Sequence, residues 1–427
     1  MNESRAFAIV VACVVFAFSA RGQDADRSNR PPPGEGPRQG EETSRHYSLE
    51  QAVSDRAQLN TIAFDGLAFL TGDFCACTFL PPGKVSDYFG FQYMRDIDAG
   101  ERGHNTSFLT RIAHNTLAVL TDAQRAQLIA LGNEQAPQIT ELAHRRLPLI
   151  KAFCRLRDGD LPTGSQGLDR AAVMEYSADM WELDGALAYH RAQVVGAIVR
   201  SLDETQKAAL AKLKFGDSST WPDVPEPFDR RGLTHDVHVA LMTYGSEMFS
   251  WYAGSVKADV YFCPERHGTY FGSFYLKDAP AMGKRDYSIS TSLTGDSGEE
   301  FLATLTEPQR ALITSLPELQ RKDLAEIVQT RRAIAVELRK FMQQDTADKA
   351  AVLKLSRRYG ELDGEMSYLY ATRFAEVNKT LSPEQKAKLL KLRNLDGFPC
   401  TGAYLYSQRV AQPDIPNTDF LFTKATN

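Results

Sequence analysis

Apolar residues recur three and four positions apart through two long stretches, 305–342 and 348–395. Leu324, Ile327, Val328, Ile334, Leu338 and Phe341 form one such stripe, set among Glu, Lys, Arg, Gln and Ala. That spacing returns to one face of an α-helix, and those residue types favour helix, so each stretch predicts helix with a buried face. Residues 120–157 and 168–214 read the same way. The polar segments 158–164 and 343–346 predict the turns of two helical hairpins, 120–214 and 305–395. Residues 62–105 and 245–295 mix Gly, Pro and aromatics without a sustained period. They predict irregular chain with short helices.

At the N-terminus the pattern changes. Ala6 to Ala20 run apolar behind Arg5, and Ala20-Arg21-Gly22 has the small-x-small form of a cleavage site, so 1–22 predicts an export signal. Val10-Val11-Ala12-Cys13 fits a lipoprotein box formally, but Cys13 lies mid-run, which favours simple cleavage. Residues 23–46 carry Pro31-Pro32-Pro33-Gly34 and almost no large apolar side chains, and predict a disordered tether. Export places the mature chain in the periplasm or outside the cell, where disulfides form. No later run reaches the roughly 18 apolar residues of a membrane helix, so no span is expected after signal removal.

The remainder repeats itself. Tyr88-Phe89-Gly90 returns as Tyr270-Phe271-Gly272, an offset of 182. Leu120-Thr121-Asp122-Ala123-Gln124-Arg125 returns as Leu305-Thr306-Glu307-Pro308-Gln309-Arg310, offset 185. Glu182-Leu183-Asp184-Gly185 returns as Glu361-Leu362-Asp363-Gly364, offset 179. Leu202-Asp203-Glu204-Thr205-Gln206-Lys207 returns as Leu381-Ser382-Pro383-Glu384-Gln385-Lys386, again at 179. Four landmarks in one order predict a duplication: unit 1 over 47–220, a Pro-rich joint over 221–232, unit 2 over 233–410 and a tail over 411–427. Gly185 and Gly364 interrupt helical stretches, where Gly costs about 1 kcal/mol against Ala, so both predict a close helix crossing.

Each of the four boxes reads as a helix start. Thr121, Asp203, Thr306 and Ser382 are N-caps, and Gln124, Gln206, Gln309 and Gln385 stand three later, as in a capping box. Leu120, Leu202, Leu305 and Leu381 precede the caps as apolar staples, and Pro383 suits the first helical position. With the boxes LTDAQ, LDETQ, LTEPQ and LSPEQ, the chain resembles the Spy/CpxP family of periplasmic proteins, known for paired LTxxQ motifs. The resemblance covers the helical segments, about half of the mature chain. It implies helical hairpins that pair into a cradle-shaped dimer, here fused into one pseudo-dimeric chain. It also implies envelope stress work without ATP, with misfolded proteins or a sensory protein as partners.

Charge and chemistry adjust that picture. Lys plus Arg number 49 against 54 Asp plus Glu, a net charge of −5, which argues against a nucleic-acid binder. Residues 120–214 balance 12 cations with 12 anions, whereas 305–395 hold 17 against 12. Arg331, Arg332, Arg339 and Arg358 are therefore candidate partner-binding residues. Five Cys remain after the signal: Cys75, Cys77, Cys154, Cys263 and Cys400. In an exported chain they predict disulfides, Cys263 with Cys400 and Cys154 with Cys75 or Cys77. The alternative is zinc or copper binding, or thiol exchange, at Cys75 and Cys77. His235 and His238 stand three apart and could share a helix face as a weaker metal pair. The Tyr-Phe-Gly elements read as core anchors. No nucleophile elbow, phosphate loop or zincin motif is present, so the expectation is a non-enzymatic all-α binding protein. A structural surface protein is the third reading.

Overall fold

A computed structural model describes residues 55–71, 107–213, 221–253, 297–393, 403–405, 408–410 and 414–424. The signal and tether, the Tyr-Phe-Gly elements, and Cys75, Cys77, Cys263 and Cys400 lie outside the described residues. The fold is all-α. In chain order the helices are α1 (Asp55–Leu70), α2 (Ser107–Val119), α3 (Asp122–Arg145), α4 (Leu147–Asp158), α5 (Arg170–Arg200) and α6 (Glu204–Ala211). Then come α7 (His235–Ala253), α8 (Ser297–Thr304), α9 (Glu307–Thr314), α10 (Leu316–Arg339), α11 (Lys349–Thr380) and α12 (Pro383–Arg393). A short antiparallel pair, Ala403–Leu405 with Gln408–Val410, follows. Among the described residues no helix is long and apolar enough to cross a membrane.

Both hairpins form where the periodicity places them, and the whole predicted stripe from Leu324 to Phe341 is buried. Matching caps start the two longest helices: Asp169 accepts from Ala172 N–H at 3.1 Å and Asp348 from Ala351 N–H at 3.0 Å. The incoming arms break differently. Pro148 opens α4 after a break at Arg146, and Pro317 opens α10 after a break at Ser315. In each case the proline sits in a first turn, where its missing N–H is tolerated.

Helices α5 and α11 cross at the centre. A Cβ on Gly185 would stand 2.2 Å from Ser356 Oγ, and one on Gly364 would stand 2.9 Å from both Met174 Cα and Ser177 Cβ. Ser356 follows Ser177 by the repeat offset, so the same Gly-on-Ser contact occurs twice with the halves exchanged. The absence of two side chains is what lets the backbones approach.

The sequence halves are not the packing halves. Ile62, Leu67 and Phe69 of α1 share a core with Phe301, Leu316, Ile327, Tyr370 and Phe374 from the second half. Ala240, Leu241, Tyr244 and Phe249 of α7 share the other core with Ile112, Leu117, Leu128 and Val195 from the first. Each half thus lends its leading helix to its counterpart. The joint is packed too: Trp221 meets Phe249 edge-on with centroids 4.5 Å apart, and Asn115 Nδ2 donates to Pro222 O at 2.8 Å.

Both α1 and α7 run into the segments expected to be irregular with short helices, from residues 62 and 245 onward, and are longer than that expectation, starting back at Asp55 and His235. The reason is visible in α7, where every residue from Val237 to Phe249 is buried. A helix covered on all sides carries no polar face, hence no period to read.

Candidate functional site

All four boxes start helices, and their leading residues Leu120, Leu202, Leu305 and Leu381 are buried. Gln124, Gln206, Gln309 and Gln385 return their amide oxygens to the backbone N–H of Thr121, Asp203, Thr306 and Ser382 at 2.9, 3.1, 2.9 and 3.0 Å. Beyond this capping role, the glutamines pair. Gln206 Nε2 donates to Gln124 Oε1 at 2.7 Å, and Gln385 Nε2 donates to Gln309 Oε1 at 2.8 Å. The other amide hydrogens go to Ser201 Oγ and Val119 O in the first node, and to Thr380 O and Thr304 O in the second. These partners correspond by the repeat offsets.

Such a node explains the motif. Thr, Asp, Thr and Ser occupy the cap in the four copies because any short oxygen serves. Gln occupies the third helical position in all four because only an amide accepts from the cap while donating to its twin and to a carbonyl or hydroxyl oxygen. Arg125 and Arg310, one residue later, extend it: Arg125 Nη1 donates to Leu117 O and Arg310 Nε to Leu302 O, both at 2.9 Å, tying down the end of the preceding helix. The pairing needs two boxes brought together in space, so no single box discloses it.

A ranking follows. Thr306→Ala is expected to cost about 0.5–2 kcal/mol, the usual loss of a cap. Gln309→Glu should cost more, because a carboxylate supplies no hydrogens to Thr380 O or Gln385 Oε1, and each of these two part-buried bonds is worth about 0.5–1.5 kcal/mol. Urea denaturation of the two variants checks the order.

Two buried polar clusters lie deeper. In one, Arg191 Nη1 meets Glu247 Oε2 at 2.6 Å, and its guanidinium lies 4.5 Å from the Tyr244 ring centre. Tyr244 Oη donates to Gln135 Oε1 at 2.9 Å, and Gln135 Nε2 donates to Leu187 O at 2.9 Å. In the other, Tyr370 Oη donates to Gln320 Oε1, and Gln320 Nε2 donates to Gln58 Oε1 at 3.0 Å. Asp363 Oδ2 accepts from Trp181 Nε1 at 2.9 Å. Gln135 and Gln320 stand at offset 185, and Asp65 and Glu247 at 182, so both clusters draw on equivalent positions. These offsets equal those of the boxes and the aromatic elements, which is the signal that points to them.

Burial pushes the Tyr244 phenol up to about 12, with Arg191 pulling the other way. Burial, then Asp65, raise Tyr370 well above its ordinary value. A phenol kept neutral by the fold holds its proton where the unfolded chain has lost it. Stability is therefore full below about pH 10 and falls as pH rises towards the folded value. An alkaline titration should show these two phenols ionising with unfolding, in step with the loss of helical circular dichroism.

The remaining candidates are dispersed. Arg331 is fully buried, its guanidinium 5.6 Å from the Tyr359 ring centre, which removes it from any exposed binding face. Its position on the buried stripe side of α10 is what places it there. Arg358 pairs with Glu326 at 2.7 Å and Glu361 at 2.6 Å; these bonds, Glu326 first, hold its pKa up. Arg332 is exposed and Arg339 half-buried. Along the outer side of α10, Lys322, Ala325, Gln329, Arg332, Val336 and Lys340 are exposed, as is Leu319.

His238 is buried, with Nε2 2.6 Å from Glu226 Oε1 of the joint. Among the described residues no group of three His, Cys, Asp or Glu side chains is placed to hold a metal. Cys154 is buried on α4, and its expected partners Cys75 and Cys77 lie outside the described residues.

Comparison with known proteins finds no matching family model, no matching curated protein and no matching solved structure.

Proposed function

We propose that this chain is an exported, non-enzymatic protein that binds misfolded or sensory partner proteins without ATP. Its architecture, in this reading, is a pair of Spy/CpxP-like hairpins fused in one chain around a pseudo-two-fold. The observation that carries it is the closing of four LTxxQ-like boxes into two equivalent amide-paired nodes. A fused pair of two-box units would need such nodes, and the repeated Gly-on-Ser crossing of α5 and α11 agrees with it.

The outer side of α10 supplies a contact surface. Val336 and Leu319 are each about half exposed, at 49% and 45%, among Lys322, Arg332 and Lys340. Apolar contact holds a partly folded chain, and neighbouring cations favour acidic ones. Of the cationic candidates, Arg332 stands on this face, with Arg339 and Arg358 at its edges.

The test is aggregation of a chemically unfolded acidic protein, with and without the mature chain and with no nucleotide. Suppression at stoichiometric ratio is expected. Arg332→Glu with Val336→Asp should weaken it and flatten its dependence on salt. A folded chain that leaves aggregation unchanged would overturn the reading. Stoichiometric zinc or copper lost on Cys75→Ser and Cys77→Ser would replace it with metal handling.

A further inference from the structure

The two hairpins differ at one end. Across the turn the repeat offset falls from 185 to 179, so the second hairpin has six residues fewer there. The first hairpin's longer turn forms an edge, and the segment 414–424 lies along it. Asp169 N–H donates to Leu421 O at 2.8 Å and Thr423 N–H donates to Gly167 O at 2.9 Å, with Leu168 and Phe422 bridged antiparallel. Ser165 Oγ lies 3.1 Å from Thr423 Oγ1, and Gln166 N–H donates to that hydroxyl at 3.2 Å.

Side chains add discrimination. Arg155 Nη1 reaches Asp419 Oδ1 at 2.7 Å and Thr418 Oγ1 at 3.0 Å, and its guanidinium covers the Phe422 ring at 4.9 Å. Lys151 Nζ donates to Ile415 O at 3.2 Å. Leu421 and Phe422 are buried against the core, and Phe420 meets Tyr176 with centroids 5.6 Å apart. The bonds to Gly167 and Asp169 are main-chain bonds, which any extended chain can make. Arg155 and the apolar seat then select an acidic residue followed at two and three positions by large apolar ones.

We propose that this seat is a peptide-binding site for extended acidic–apolar segments of client proteins, and that the chain's own C-terminal segment is its resident competitor. The proposal rests on the client-binding reading above and names the segment that site would take. A tethered competitor acts at an effective concentration in the millimolar range for a short linker, so it masks the seat from weak ligands and yields to strong or abundant ones.

The probe is a fluorescent peptide with the sequence of residues 414–424, added to the full chain. Leu421→Ser with Phe422→Ser should release the resident segment, and that variant should bind the peptide at least ~10-fold more tightly than the unaltered chain. Adding Arg155→Glu to the released variant should remove that gain. A peptide carrying Lys in place of its Asp419 equivalent should recover binding only with Arg155→Glu. In the unaltered chain, excess peptide should speed amide exchange at Leu421 and Thr423. This second measurement decides the matter should the released variant fail to fold. A folded released variant that binds no more tightly, or exchange unmoved by saturating peptide, would overturn the proposal. Peptide binding without suppression of aggregation would remove the client reading and leave the seat. Suppression indifferent to tail release and to Arg155 would do the reverse.

Discussion

Arg191→Ala is expected to cost roughly 3–5 kcal/mol of folding stability. Arg191 is fully buried, and burial by itself works against its charge. The Glu247 carboxylate beside it, followed by Tyr244 and Asp184, outweighs that effect and holds the guanidinium pKa above its ordinary value. Truncation would leave Glu247, itself 5% exposed, without this guanidinium in an apolar core. It would also strip the cation from the Tyr244 ring and open a cavity beside α7. The pair joins α5 of the first sequence half to α7 of the second, so its loss should loosen the exchange of leading helices. Urea denaturation measures the cost. Arg191→Met with Glu247→Leu should recover much of it, because replacing both members of a buried pair by apolar residues is often neutral. A loss below about 1 kcal/mol in the single variant would mean that the pair does not form.

Gly185→Ala gives the second large effect, and its sign is diagnostic. In a solvated helix the change would stabilise by about 1 kcal/mol. Here the new Cβ would stand 2.2 Å from Ser356 Oγ and 2.5 Å from Ser356 Cβ, so α5 and α11 must separate. Overpacking of this kind costs about 1–3 kcal/mol, and the crossing should win. Gly364→Ala meets the Met174 backbone at 2.9 Å, where no rotamer change gives relief. Ser356→Gly should rescue Gly185→Ala by removing both clashing atoms and should do nothing for Gly364→Ala. Thermal melts of the four variants check this pattern, and a stabilised Gly185→Ala would refute the crossing.

Much of this architecture is legible in the chain itself. The three-and-four spacing from Leu324 to Phe341 identifies a one-sided helix because one face meets water. The boxes identify helix starts because a cap acts within one turn. Gly185 and Gly364 point to a crossing because glycine inside a strong helix needs a reason. Less legible is any feature whose partners are distant. Arg331 and Arg332 are adjacent cations in the sequence, yet one is buried beside Tyr359 and the other is exposed. A helical rotation of one residue separates those environments, and a charge count cannot register it.

By itself, then, the sequence determined the helical class, the hairpins, the caps and the internal repeat, all consequences of spacing within a turn or of self-similarity along the chain. Tertiary structure decided what those elements meet. It exchanged α1 and α7 between the halves, joined the box glutamines across 82 and 76 residues, and laid the C-terminal segment on the first hairpin. The physical reason is the range of the interactions. Capping and periodicity act over three or four residues, whereas burial, amide pairing and ion pairing depend on neighbours that only the folded chain brings within a few ångströms.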